Sequence, residues 1–153
     1  MEILLIGPQG SGKSTQAEKL ARFLGVPNVE TGQIFRDLAK DQTSLGQRVR
    51  EILKSGGMVD DETTAELVKV RLAQPDCQAG FVMNGYPRSP RQQGIFSPKF
   101  DRVFYLVVPD EVVTQRQLKR GREDDTPELI KKRLDHYHLL TEPLIDYSDP
   151  IFF

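Results

Sequence analysis

The sequence predicts an α/β fold, a doubly wound parallel sheet flanked by helices, and three observations carry that expectation. A short apolar run, Glu2-Ile3-Leu4-Leu5-Ile6, ends at Gly7 and gives way after Lys13 to helical spacing through Ala17, Leu20, Ala21 and Leu24. Two later runs, Gly80 to Asn84 and Arg102 to Val108, are again short, apolar and bounded by turn residues. Between them, apolar residues recur every third or fourth position. Continuous apolar strands separated by helices belong to parallel sheets covered on both faces.

Taken in order, the first strand is followed by a glycine-rich turn and a helix that Gly25 ends, with Val26 and Pro27 as punctuation. A second helix opens near Thr31-Gly32 and carries Ile34, Phe35 and Leu38. Helical patterns over Leu45 to Leu53 and Glu62 to Leu72 are separated by Gly56-Gly57. After the third strand Pro109-Asp110 opens a helix to about Gly121, and Thr126-Pro127-Glu128 reads as a cap with proline in the first turn of a last helix towards Tyr147. No repeat or linker divides the 153 residues, so one domain over 1–153 is expected.

The composition is that of a soluble globular protein, with 38% hydrophobic and 28% charged residues. A formal charge of −1 argues against non-specific nucleic-acid binding. Cys77 is the only cysteine and there are two histidines, too few for a zinc site, so no structural zinc is expected. His136 and His138 stand two apart on a predicted helix, which points them to different faces and suits packing or solvation. No apolar run approaches the length of a membrane span, and the opening residues lack a basic region and a cleavage site. A cytoplasmic protein without a membrane partner is the expectation.

Gly7-Pro8-Gln9-Gly10-Ser11-Gly12-Lys13-Ser14 fits G-x-x-x-x-G-K-[ST]. The bare pattern arises by chance in roughly one chain of this length in two hundred, and its place between a strand and a helix makes it rarer still. A plain glycine turn is the competing reading. Glycines let backbone N–H groups converge on phosphate oxygens, the helix start adds positive potential, and Lys13 can reach the β- and γ-phosphates. The pattern therefore predicts a nucleoside triphosphate site of the P-loop type at Gly10, Ser11, Gly12, Lys13, Ser14 and Thr15.

Several further segments stand in order behind it: Thr31-Gly32, Arg36, Gly85-Tyr86-Pro87-Arg88 and Arg122-Glu123-Asp124-Asp125. With the P-loop they make the chain resemble the adenylate kinases, over Met1 to about Tyr147. The resemblance implies transfer of the γ-phosphoryl group of ATP to AMP, giving two ADP, with magnesium. It implies a nucleoside monophosphate arm over about 31–60. Arg36 and Arg88 match the arginines that hold the AMP phosphate, a task that suits a planar guanidinium fork. Alone, Arg36 would read as a surface arginine. Arg88 stands where open α/β sheets bind ligands, at a strand's C-terminal end.

By the same resemblance Thr31 and Gln92 meet the adenine of AMP, Leu53 and Val59 wall its pocket, and Gly32 and Gly85 line it. Read structurally, Leu53 is a helix core residue and Thr31 a cap. Arg116, Lys119, Arg120 and Arg122 would ordinarily be a solvated face. In the family's terms Arg116 stacks on the ATP base, Arg120, Arg122 and Arg133 converge on the phosphates, and Asp124 and Asp125 orient those arginines. Phosphoryl transfer needs positioned cations more than covalent help, so no general base is expected.

Three departures from the family pattern matter. Ser14 stands where the family has glycine, and Asn84 where it has aspartate; the pair suggests that magnesium is held by the Ser14 hydroxyl and, through water, by Asn84. Only Gly121 separates Arg120 from Arg122, so the lid is expected to be vestigial, about 120–126, with a homo-oligomer as one way to cover the site. The family's C-terminal strand and helix are not expected, and Ile151 to Phe153 reads as the start of an edge strand. The rivals are a pyrimidine (UMP/CMP) or other nucleoside monophosphate kinase and a nucleotide-binding regulatory or scaffold protein with little transfer.

Overall fold

The computed structural model describes residues 1–145. Four strands, β1 (Glu2–Ile6), β2 (Asn28–Glu30), β3 (Phe81–Asn84) and β4 (Arg102–Tyr105), form one sheet in the order β2-β3-β1-β4. Every pairing is parallel, with Ile3 opposite Val82 and Arg102 on its two sides. The central strand explains the two-sided cover. Leu4 and Ile6 face a cluster with Val29, Ala65, Val68, Phe81 and Met83, whereas Ile3 and Leu5 face Ala17, Ala21 and Val82. Alternate residues of one apolar strand thus serve two cores.

The helices are α1 (Lys13–Leu24), α2 (Thr31–Leu38), α3 (Ser44–Lys54), α4 (Asp61–Leu72), α5 (Pro90–Ile95), α6 (Asp110–Arg120) and α7 (Pro127–His136). Four of them start on side-chain caps: Thr43, Asp60, Ser89 and Thr126 accept the N–H groups of Gly46, Thr63, Gln92 and Leu129. Phe35 of α2, Val49 of α3 and Val59 before α4 form a separate apolar cluster, with Leu67 of α4 packed against it, which makes this region an arm with a core of its own. Val113, Ile130 and Leu134 join α6 to α7.

Five features differ from the expectation. Strand β2 lies directly after Pro27, in a stretch read only as punctuation, and α5 follows the Arg88 turn. The strand expected over 102–108 is regular only to Tyr105; Leu106 N–H still donates to Ile6 O (2.8 Å), and Val107 then turns out to solvent. Thr31 is not the cap of α2, since Glu30 holds that place and Thr31 is the first helical residue. The last helix widens after His136 into a π turn over Tyr137–Thr141 and tightens to a 3-10 turn over Glu142–Leu144, where Pro143 ends it. Tyr147 and Ile151 to Phe153 lie outside the described residues.

His136 and His138 do face different ways. His136 Nδ1 lies 3.2 Å from Met58 Sδ, and His138 sits between Glu142 (2.7 Å) and Asp110 (2.9 Å), whose hydrogen bonds raise its pKa. Among the described residues no helix is long and apolar enough to cross a membrane, and no group of three His, Cys, Asp or Glu is placed to hold a metal.

Candidate active site

The C-terminal ends of β1 and β3 open into one cleft of about 1020 Å³. The turn from β1 into α1 forms its floor. Ser11 N–H donates to Pro8 O (3.1 Å) and Gln117 Nε2 to Gln9 O (3.0 Å), so α6 ties the turn down from above. At Gly10 φ is +90° and a Cβ would stand 2.9 Å from Val113 O, so only glycine allows α6 this close. Ser14 and Thr15 are exposed at the start of α1, and Arg116 Nη1 donates to Ser11 O (3.4 Å).

Lys13 folds back onto its own turn, its Nζ donating to Pro8 O (2.6 Å) and Ser11 Oγ (3.4 Å). Burial, and then the Arg88 charge, pull its pKa from 10.5 down to about 7 against the opposing pull of Glu30. The charged form lacks a carboxylate partner at contact distance, which leaves the ammonium poised for an anion. Above pH 7 the free protein holds this side chain neutral, whereas a bound polyphosphate favours its charged form. At pH 8 nucleotide binding should therefore take up close to one proton, and affinity should weaken by up to about tenfold per pH unit above 7. Calorimetry in buffers of different ionisation heat measures this; no uptake at pH 8 would contradict it.

The wall opposite the P-loop comes from β3 and the arm. After Asn84 the chain turns at Gly85, where φ is +87° and a Cβ would stand 3.0 Å from Arg88 Nη2. Arg88 Nε donates to Gly85 O (2.8 Å), and the Thr141 hydroxyl donates to Arg88 O (2.8 Å), so the π turn supports the arginine from behind. Burial lowers the Arg88 pKa, Glu30 opposes this, and Arg133 and Arg36 lower it further. Arg36 Nη2 pairs with Glu30 Oε1 at 2.8 Å beside Gly32.

A third group closes the cleft from α6, α7 and the turn between them. Arg120 donates through Nε and Nη2 to Asp125 (2.9 and 2.7 Å), and Arg133 donates to Asp124 Oδ2 (2.5 Å) and Asp125 Oδ1 (3.2 Å). Arg122 N–H donates to Asp125 Oδ2 (3.1 Å), while burial and then Arg120 and Arg36 lower the pKa of its side chain. The arginines are crowded, and two carboxylates hold them together.

The expected residues fall into two linked cavities. Gly10 to Thr15, Gly32, Arg36, Asn84, Gly85, Arg88, Arg116, Arg120, Arg122, Asp124 and Arg133 line the large cleft. Thr31, Val59 and Gln92 line a side pocket of about 50 Å³, which Leu53, Gly85 and Arg88 share with the cleft. Asn84 is 3% exposed and its Nδ2 has no partner, so a polar group is left over at the end of β3. Sequence reasoning missed the residues that hold others: Gln117, which also accepts from Arg133 (3.3 Å), Thr141, Glu30 and Asp61. It also missed Met58 and His136, which meet across the cleft between the arm and α7.

Comparison with known proteins agrees with this geometry. A family model described as Adenylate kinase matches residues 5–150. The adenylate kinase of Nocardia farcinica is 40% identical over 97% of this chain and 86% of its own length. That of a Cyanothece species is 44% identical over 95% and 80%, and that of Mycolicibacterium smegmatis 42% identical over 96% and 85%. Similarity of this extent, running through the P-loop, the arm and the arginine-bearing helices alike, identifies the chain as a member of the adenylate kinase family.

Proposed function

We propose that the enzyme sets ATP and AMP head to head in the large cleft, with the donor on Gly10–Thr15, Arg116 and Arg120 and the acceptor on Gly32, Arg36, Gly85 and Arg88. One observation carries this assignment. A single continuous cleft holds the P-loop at one end and Arg36 and Arg88 at the other, with a pocket beside Arg88 for a base. Residues 31–60 act as the monophosphate arm and about 120–126 as a vestigial lid.

In the transfer, an oxygen of the AMP phosphate attacks the γ-phosphorus of ATP, and the bond from that phosphorus to the β–γ bridging oxygen breaks. Two ADP result. A phosphate monoester is largely ionised at pH 7, so the attacking oxygen needs no base. Lys13, Arg88, Arg120, Arg122 and Arg133 offset the charge that spreads over the moving group. Asp124 and Asp125 keep Arg120 and Arg133 in place before substrate arrives, so little reorganisation is left for the reaction itself.

Adenylate kinases use magnesium with ATP. The residues here suit a hard cation that keeps most of its shell as phosphate and water: an exposed hydroxyl at Ser14 and, through water, the Asn84 amide oxygen as an acceptor. Held there, magnesium would neutralise part of the charge on the triphosphate. Ser14→Gly should raise the magnesium concentration for half-maximal rate several-fold with little effect on folding, and an unchanged requirement would contradict this role.

The reading places the enzyme in the cytoplasm, with ATP and AMP at hand. A coupled assay across AMP, GMP, CMP, UMP and dTMP, and with no acceptor, tests it; AMP should lead, and a lead by CMP or UMP would favour the pyrimidine reading. A particle mass measured alongside tests whether a second subunit covers the short lid.

A further inference from the structure

Gln92, in the first turn of α5, is 1% exposed and lines the side pocket. Its Oε1 accepts the Arg88 N–H (2.8 Å), and its Nε2 donates to Asp61 Oδ1 (2.9 Å). The same Asp61 oxygen accepts the Ser89 hydroxyl (3.2 Å). A primary amide has two donor hydrogens and an oxygen with two lone pairs, so one hydrogen and one lone pair remain for a ligand. Both protein partners act in the same sense. An inverted amide would set its NH2 against the Arg88 N–H and its oxygen against the Asp61 carboxylate, two repulsive pairings in a buried place.

Asp61 opens α4, and among the described residues its side-chain hydrogen bonds are with Gln92 and Ser89 alone. Asp60 is the residue that caps α4, its Oδ1 accepting Thr63 N–H (2.9 Å), and Arg91 pairs with Glu62. A carboxylate can only accept when ionised, so unlike a hydroxyl it cannot change roles to suit a flipped amide.

The geometry points to Asp61 as a positioning residue that fixes which way the Gln92 amide faces and thereby which purine the side pocket takes. This rests on the reading that the pocket holds the acceptor's base. Adenine presents an acceptor, N1, beside an amino donor; hypoxanthine presents a donor, N1–H, beside a carbonyl acceptor. An amide with one hydrogen and one lone pair in fixed order complements one of these edges and opposes the other. Asp61 reaches across from the first turn of α4 to do this, so acceptor choice is set by a contact between α4 and the Arg88 turn.

The test is steady-state kinetics with AMP and with IMP as acceptors at saturating magnesium and ATP, for the unaltered enzyme, Asp61→Ala, Asp61→Asn and Gln92→Leu. Asp61→Ala should reduce the AMP-to-IMP ratio of kcat/KM by about tenfold, mainly through the acceptor KM, with the KM for ATP unmoved. Asp61→Asn keeps an acceptor oxygen but can also turn its NH2 to Gln92, so it should recover only part of the ratio. Should alanine unfold the protein, Asp61→Ser, too short for the contact to Gln92, gives the same reading. A merely structural Asp61 would lower both acceptors together and leave the ratio fixed, which would overturn the inference. If Gln92→Leu shifts the ratio and Asp61→Ala does not, the role of Asp61 alone falls. If Gln92→Leu leaves the ratio unchanged, the base-pocket reading falls with it.

Discussion

Replacing Asp125 with alanine is expected to lower stability by about 3 kcal/mol and to slow transfer by about a hundredfold or more. Its side chain is 0% exposed and is held between Arg120 at the end of α6, the Arg122 backbone and Arg133 on α7. Without it Arg120 loses both its hydrogen bonds to a carboxylate and Arg133 keeps Asp124 alone, so the repulsion between the two guanidinium groups is less well offset. The low end of the range for breaking a buried pair applies because Arg120 keeps 30% of its side chain in solvent. The kinetic effect follows because Arg120 and Arg133 lose their common anchor before the phosphates arrive.

Acid should expose the same contact. Burial works to raise the Asp125 pKa, but the hydrogen bonds from the Arg120 side chain and the Arg122 N–H outweigh it and hold the group below its ordinary 3.8. The unfolded chain therefore takes up the proton first as pH falls. The stabilisation is complete above about pH 4 and is lost as pH drops through the lower folded value. Urea unfolding across pH 3 to 7 measures this. The unaltered protein should lose stability in acid more steeply than Asp125→Ala, and equal slopes would contradict the account.

Lys13→Met should cut kcat/KM by about a thousandfold, equivalent to about 4 kcal/mol of transition-state stabilisation, while leaving the nucleotide-free protein at least as stable. The two halves of that expectation have one cause. Lys13 is poorly solvated and lies near Arg88, which is why its pKa falls to about 7, so its charge is unfavourable until a polyphosphate supplies the counterion. Between pH 7 and 10.5 the unfolded chain holds a proton that the folded chain lacks, so stability attributable to this group rises with pH in that window. A thermal melt together with single-turnover transfer separates the effects. A large fall in melting temperature would mean that Lys13 is a structural residue first.

Much of the fold was legible because it is written in local patterns. β1, the P-loop and α1 follow from an apolar run, glycines and a change of period within two dozen residues, and the cap at Thr126 is visible as a single polar side chain before a helix. Strand β2 was not legible: three residues after a proline give no period to read, and its existence depends on pairing with β3 far along the chain. α5 was hidden by Pro90, which reads as a breaker although it occupies the first turn of the helix. The π turn after His136 has no signal in spacing at all. It matters to the site because it brings the Thr141 hydroxyl to Arg88 O.

The site divides in the same way. Residues proposed to touch phosphate or base stand in short segments that the family resemblance marks one by one, and the structure gathers them around one cleft and its side pocket. Residues that hold those residues do not share segments with them. Gln117 reaches Gln9 across 108 positions and Asp61 reaches Gln92 across 31, and neither distance is a sequence pattern. A positioning contact is a property of the folded arrangement, whereas a phosphate loop is a property of consecutive backbone.

The central claim is that one chain holds two polyphosphate tails facing each other. Titration with two adenosines joined by five phosphates tests it most directly. The account predicts one molecule bound per chain, far tighter than ATP, and displaced by ATP and by AMP separately. Binding no tighter than ATP, or binding that AMP leaves untouched, would contradict it.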